Sequence, residues 1–170
     1  MPKSKLVGLL YEASMDLDRV LNGLESDDAI EQVNRGSSYA WTYAHVTHYV
    51  DWWINVRFRQ LAAHSYIAQE HFRYGGTGSA NDWEVVKTSV KEVWNQVWDY
   101  LNPMTDNELD AITISARILG NPEKKEIPLS YYIIRACAHC YYHIGEIATK
   151  RDMGGYHQVG DYPGPLESCL

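Results

Sequence analysis

The run Arg135-Ala-Cys137-Ala-His139-Cys140-Tyr141-Tyr142-His143-Ile-Gly145-Glu146 places two imidazoles four residues apart. At α-helical geometry His139 and His143 project from one face on successive turns, so both can reach the same metal ion. Glu146 lies three residues further on, within about 20° of His139 around the helix axis, where it could orient a ligand or act as a base. Two histidines on one helix leave a site incomplete, because zinc and related ions take three or more protein ligands from more than one direction. The segment Trp41-Thr-Tyr-Ala-His45-Val-Thr-His48-Tyr-Val-Asp51-Trp52 offers the third. His45 shares a helical stripe with Trp41, Trp52 and Val56, the face a helical bundle buries, whereas His48 sits about 60° to one side. The expected ligands are therefore His45, His139 and His143, with His48 as the alternative to His45.

Blander roles compete for the same residues. A His pair at helical spacing also arises by chance, and a buried imidazole can simply be hydrogen-bonded. Cys137 and Cys140 form a Cys-x-x-Cys pair that could signal redox chemistry or thiolate ligation. Helical geometry turns Cys137 about 160° from His139 and Cys140 about 60° from His143, which favours two small buried core residues. His64, His71 and His157 read as solvated or structural. Arg59 and Arg135 fall near the pocket-facing stripes and could clamp an anion. Trp41, Trp52 and Tyr141 or Tyr142 could wall a pocket, with core packing as the plainer role.

The elements that must hold these groups are helical. Apolar side chains at Leu6, Leu9, Leu10, Ala13, Leu17, Val20, Leu21 and Leu24 predict an amphipathic helix from Ser4 to about Leu24. A polar stretch from Glu25 to Ser38 follows and ends in a hydroxyl cap for a long second helix. That helix is expected to run from about Tyr39 into the Ala62 to His71 region. Gly75, Gly76 and Gly78 mark a loop, and Asn81 or Asp82 can cap a third helix. Its buried stripe is Trp83, Val86, Val90, Val93, Val97 and Leu101, stopped by Asn102-Pro103. Thr105-x-x-Glu108 has the spacing of a capping box for a short turn. From Ala111 to Ile127, alternation at Ile112, Ile114 and Ala116 and the turn Gly120-Asn121-Pro122 suit a small hairpin or an irregular excursion. Pro128 then opens a fourth helix, ended near Asp152 by Gly154-Gly155. The predicted fold is all-α, an up-down four-helix bundle over residues 1–155 with a long connection, able to hold a hairpin, between the third and fourth helices. Residues 156–170 read as a surface tail.

Composition narrows the function classes. The chain has 170 residues and carries 15 Lys and Arg against 22 Asp and Glu, a net charge of -7. With a pI near 5.4 this argues against a nucleic-acid partner. No signal or membrane segment is expected, since Glu12, Asp16, Asp18 and Arg19 interrupt the first apolar run. The odd count of 3 Cys does not resemble a secreted disulfide framework, so a cytoplasmic location is expected. The chain holds 13 Tyr and 6 Trp but only 2 Phe, large apolar bodies with polar tips that suit a wet pocket.

At Trp41-Thr-Tyr-Ala-His45-Val and His139-x-x-x-His143-x-Gly145-Glu146-Ile147 the sequence resembles the DinB-like superfamily, helical bundles often labelled DinB/YfiT-like and distinct from the DNA polymerase sharing part of that name. The first motif is similar to the family's helix-two signature, a large residue and small apolar positions before a ligand His. The second is similar to its last-helix signature, in which Gly, then Gln or Glu, then an aliphatic residue follow the second ligand. The spacing between the motifs is also similar, and the match runs over most of the chain. The resemblance implies an up-down four-helix bundle with a three-histidine site for a divalent metal, zinc or nickel. It also implies kinship with transferases and isomerases that use low-molecular-weight thiols such as mycothiol, bacillithiol or glutathione.

Three neutral imidazoles would leave the metal's double positive charge and an open position, the arrangement of a catalytic site. Such a charge acidifies a neighbouring thiol or water at neutral pH. The first expectation is an enzyme that transfers a group to, or hydrolyses, a small electrophilic molecule, with Glu146 as the residue for orientation or proton transfer. The alternative is a non-catalytic metal-binding stress-response protein whose site is structural or sensing, closed by His48 or Asp51. A third is a bundle whose aromatic surface serves only to form a homodimer.

Overall fold

In a computed structural model the chain is mostly helical with one small two-stranded sheet, and the structure describes residues 2–33, 36–117 and 123–155. Helix α1 spans Lys5–Leu21 and is capped by Ser4, whose Oγ accepts from the Val7 N–H at 3.1 Å. Its buried stripe is Val7, Leu10, Ala13, Leu17, Val20 and Leu21, while Leu6 and Leu9 stay half-buried against the core. Within the polar stretch that follows, Ser26–Ile30 forms a short helix, α2, with Asp27 and Asp28 complementing the dipole of its first turn.

Ser38 caps α3, Tyr39–Val50, by accepting from the Trp41 N–H at 3.1 Å. The helix then continues as a π-helical segment, Asp51–Phe58, and stops. The expected extension into residues 62–71 does not occur. Gln60 takes a left-handed φ of 57°, and the buried carboxylate of Asp51 accepts from the Asn55 Nδ2 at 3.0 Å and from the His64 N–H at 2.9 Å. One side chain thus ties the widened turn to the returning chain. The π segment also shifts the stripe, so that Ile54 and Asn55 are buried, Val56 is half-buried and Trp52 is 40% exposed, where a continuous α-helix would bury Trp52.

Residues 59–82 form a long connection containing a single 3₁₀ turn, Glu70–Phe72, pinned to the core by fully buried Ile67 and Phe72. Gly75 and Gly78 adopt φ of 80° and 71°, which glycine reaches without a Cβ penalty. Helix α4, Trp83–Leu101, is capped by Asp82, which accepts from the Val85 N–H at 3.0 Å. Its expected stripe from Trp83 to Leu101 is buried, joined by Trp94. The Thr105 and Glu108 capping box opens α5, Asp106–Ala111.

The ambiguous segment resolves as a hairpin. Strand β1, Thr113–Arg117, pairs antiparallel with β2, Lys124–Pro128, with Ala116 opposite Lys125 and Ile114 opposite Ile127. The expected turn at 120–122 lies outside the described residues. Ala116 and Ile127 bury against Tyr132, with Trp53 and Phe58 of the π segment packed beside them. Helix α6, Leu129–Met153, begins after Pro128 and ends at Gly154, followed by Gly155 at φ 86°. The expected surface tail, 156–170, also lies outside the described residues.

Side chains of α1, α3, α4 and α6 share one apolar cluster, with α6 packing against both α1 and α3. That packing brings the middle of α6 beside the middle of α3. Among the described residues no helix is long and apolar enough to cross a membrane.

Candidate metal centre

The α3 and α6 packing brings His45, His139 and His143 together, and one potential ligand atom from each lies within 4.8 Å of the others. The Nε2 atoms of His139 and His143 are 3.1 Å apart. Two nitrogens bound tetrahedrally at about 2.0–2.1 Å from one zinc stand about 3.3 Å apart, so this pair already has a shared-ligand separation. The His45 ring lies 5.2 Å from each of the other two, centroid to centroid. His45 and His143 are buried and His139 is half-buried.

Partners behind the rings select the ligand tautomer. The Nδ1–H of His45 donates to the carbonyl of Phe72 at 2.7 Å, and a carbonyl can only accept. The Nδ1–H of His143 donates to Glu146 Oε2 at 2.8 Å. Each bond leaves a bare lone pair on Nε2, the form a cation requires. His139 Nδ1 is buried with no hydrogen-bond partner among the described residues. Burial, then the neighbouring His143 and His45 and the Arg135 cation, push the His139 pKa down to about 3. Burial likewise lowers that of His45, against the opposing pull of the Phe72 carbonyl. Three inward-facing imidazoles, with burial pushing the pKa of His45 and His139 down, fit a divalent ion.

Glu146 faces the back of His143. Its other oxygen, Oε1, accepts from Ser37 Oγ at 2.9 Å and pairs with Lys150. The Lys150 ammonium also donates to the Ser37 carbonyl at 2.9 Å, and Ser37 Oγ lies 2.9 Å from Thr42 Oγ1. The bond from His143, followed by those from Lys150 and Ser37, holds the Glu146 carboxyl down at about 2 although burial opposes it. Ser37 and Lys150 escaped the sequence reading, although Lys150 stands four residues past Glu146 on the same face.

The other expectations sort by position. His48 does not join the three; its Nδ1–H donates to the Ile67 carbonyl at 3.1 Å. Trp41 stacks on His45 at 4.7 Å with a 7° interplanar angle, and its Nε1–H donates to the His71 carbonyl at 2.6 Å. Cys137 and Cys140 are both buried, and burial pushes the Cys140 thiol up, as for core residues. Arg59 is corrected as an anion clamp, since its guanidinium donates to Asn55 at 2.7 Å and to the Gln96 carbonyl at 2.8 Å and lies over Tyr100. Arg135 lies within hydrogen-bonding reach of Tyr49, whose ring is 4.7 Å from His139. Tyr141 turns away toward Asp16, whereas the exposed Tyr142 packs edge-on against His143. His64 sits 2.8 Å from Glu92, and His157 is outside the described residues.

Beside His45 opens a cavity of about 360 Å³ walled by His48, Tyr49, Trp52, Trp53, Arg73 and Tyr74. Trp52 was expected there. Tyr49, four residues after His45, was legible from helical spacing; Arg73 and Tyr74 come from an irregular connection that has no periodic signal. A scan against known protein families finds no matching family, and a search of curated proteins likewise returns no match.

Proposed function

We propose that the chain is a divalent-metal-dependent enzyme of the DinB-like superfamily, an up-down four-helix bundle of α1, α3, α4 and α6, that joins a low-molecular-weight thiol to a small electrophile. The observation that carries this reading is the trio His45, His139 and His143, with two of its tautomers set by the Phe72 carbonyl and the Glu146 carboxylate, beside an aromatic cavity. Imidazole ligands suit zinc or nickel. Held by three neutral rings, such an ion supplies an uncompensated double charge that acidifies a thiol and makes it nucleophilic at neutral pH.

The chain's own residues do the rest. His45, His139 and His143 hold the ion, and Glu146 aims His143 and stabilises its donor tautomer. Ser37 and Lys150 keep Glu146 anionic. Trp41 covers one face of His45 and keeps water off it. In the transfer, the thiol sulfur bonds to the electrophilic carbon, the leaving group takes the electron pair of the broken bond, and the thiol proton passes to solvent. The cytoplasm and a homodimer belong to the same proposal.

A structural or sensing site would be closed by a fourth side chain. Among the described residues the ligating group has three members, and neither His48 nor Asp51 completes it, which favours the catalytic reading. Metal analysis of untagged protein tests it, with about one zinc or nickel per chain expected. An assay with a panel of thiols and an aryl-halide or bimane acceptor should show metal-dependent product. Metal bound without turnover of any thiol would favour the non-catalytic alternative.

A further inference from the structure

The cavity beside His45 has one charged wall residue, Arg73, and its other walls are aromatic or imidazole. The position of Arg73 is not that of a free loop residue. Its two preceding carbonyls are both anchored to the centre: that of His71 accepts from Trp41, and that of Phe72 accepts from His45. The buried Phe72 ring locks the same turn. The backbone that orients His45 thus sets an arginine at the wall of the cavity. Arg73 is exposed and has no carboxylate partner among the described residues, although the chain carries a net charge of -7. His48, which also faces the cavity, spends its Nδ1–H on Ile67 and offers only an acceptor.

We propose that this cavity takes a small carboxylate-bearing molecule with a flat apolar body, its carboxylate on Arg73 and its body along Trp52, Trp53 and Tyr49, so that its far end points at His45. The planar guanidinium fork matches a carboxylate in two parallel bonds, and the exposed Trp52 face gives the body a surface to cover. A cavity of this size suits a molecule with one aromatic ring and a short side chain. The inference rests on the metal-dependent reading and names the substrate class for that site.

Calorimetric titration of metal-loaded, full-length protein with 3-phenylpropionate and with its neutral amide tests it. The carboxylate should bind about tenfold more tightly, as a charge-assisted pair at a partly exposed site implies. In Arg73→Gln the two probes should bind within about twofold of each other, in Arg73→Lys an intermediate preference should remain, and Trp52→Ala should weaken both probes alike. Equal affinities in the wild type overturn the proposal. So does a full carboxylate preference in Arg73→Gln, which would put the anion on the centre itself. Metal content is measured in each sample: a wild type that takes up no metal counts against the metal-dependent function, whereas a metal-loaded protein without carboxylate preference counts against this inference alone.

Discussion

The Nδ1–H of His45 on α3 donates to the carbonyl of Phe72, 27 residues later in the connection to α4. Since Trp41 bonds the adjacent His71 carbonyl, one face of α3 holds this turn twice within one helical turn. The orientation of the His45 ring and the position of the loop are therefore one property, and changes in either should register in the other. Trp41→Phe keeps an aromatic face over His45 but removes the indole donor. It should cost about 1 kcal/mol in urea unfolding and speed amide exchange in residues 70–76; exchange unchanged there would mean the bond does not hold the loop.

Asp51 should matter at a distance. Its carboxylate is 2% exposed and satisfies both Asn55 and the His64 N–H. Asp51→Ala leaves the buried Asn55 amide and the half-buried His64 N–H without this acceptor, a loss of about 1–3 kcal/mol, and releases the start of the connection that carries Phe72. Chelator competition should then show weaker metal binding although no ligand is altered. Unchanged affinity would separate the π turn from the centre.

Removing Glu146 tests the tautomer argument. Glu146→Ala should lower metal affinity by about 10–100-fold, with helical circular dichroism preserved, because His143 loses the acceptor that keeps its proton on Nδ1. Glu146→Gln retains an acceptor and should lose less. Equal losses in the two variants would point to charge alone.

Metal addition should raise the melting temperature in proportion to the logarithm of free metal, since the folded state alone assembles the three ligands. His139→Ala should abolish this shift. Retention of full occupancy in that variant would remove His139 from the ligand set.

The pH dependence of the chelator-treated protein follows mainly from the two groups depressed furthest, His139 and Glu146, with buried His45 acting in the same direction as His139. His139 sits at about 3 against an ordinary value of 6.5, so between those values the unfolded chain binds the extra proton and folding stability falls as pH drops. Glu146, held at about 2 against 4.5, adds stability that is complete above its unfolded value and is lost as pH falls through its folded one. Stability should therefore be level above about pH 6.5 and decline below it, and His139→Phe should flatten the upper part of the decline. A wild-type profile flat from pH 7 down to pH 4 would refute the neutral, half-buried state of His139.

Much of the scaffold follows from local pattern. The stripes of α1 and α4, the caps Ser38 and Asp82, the Thr105 and Glu108 box and the start of α6 after Pro128 depend on residues within a few positions of one another. Helical repeat alone places His139, His143 and Glu146 on one side of α6, because that relation needs no partner. The alternation at Ile112, Ile114 and Ala116 was compatible with a hairpin but could not decide it, since strand pairing depends on the facing segment and on the cover from Trp53, Phe58 and Tyr132.

What the sequence by itself determined is thus the long helices α1, α4 and α6, the start of α3, and the spacing of the histidines along α3 and α6. Only tertiary structure decided which imidazole of α3 meets the α6 pair, where α3 ends and what stands behind each ring. His45 and His48 are both on a good helix; the choice comes from the way α3 lies against α6 and from the carbonyls of Phe72 and Ile67, which engage the two rings separately. The π turn at Asp51 is stabilised by the His64 N–H, and Arg73 is positioned by bonds made 27 and 30 residues apart. Periodicity reports which face of an element is apolar, whereas these contacts join elements distant in the chain and exist only after packing has occurred.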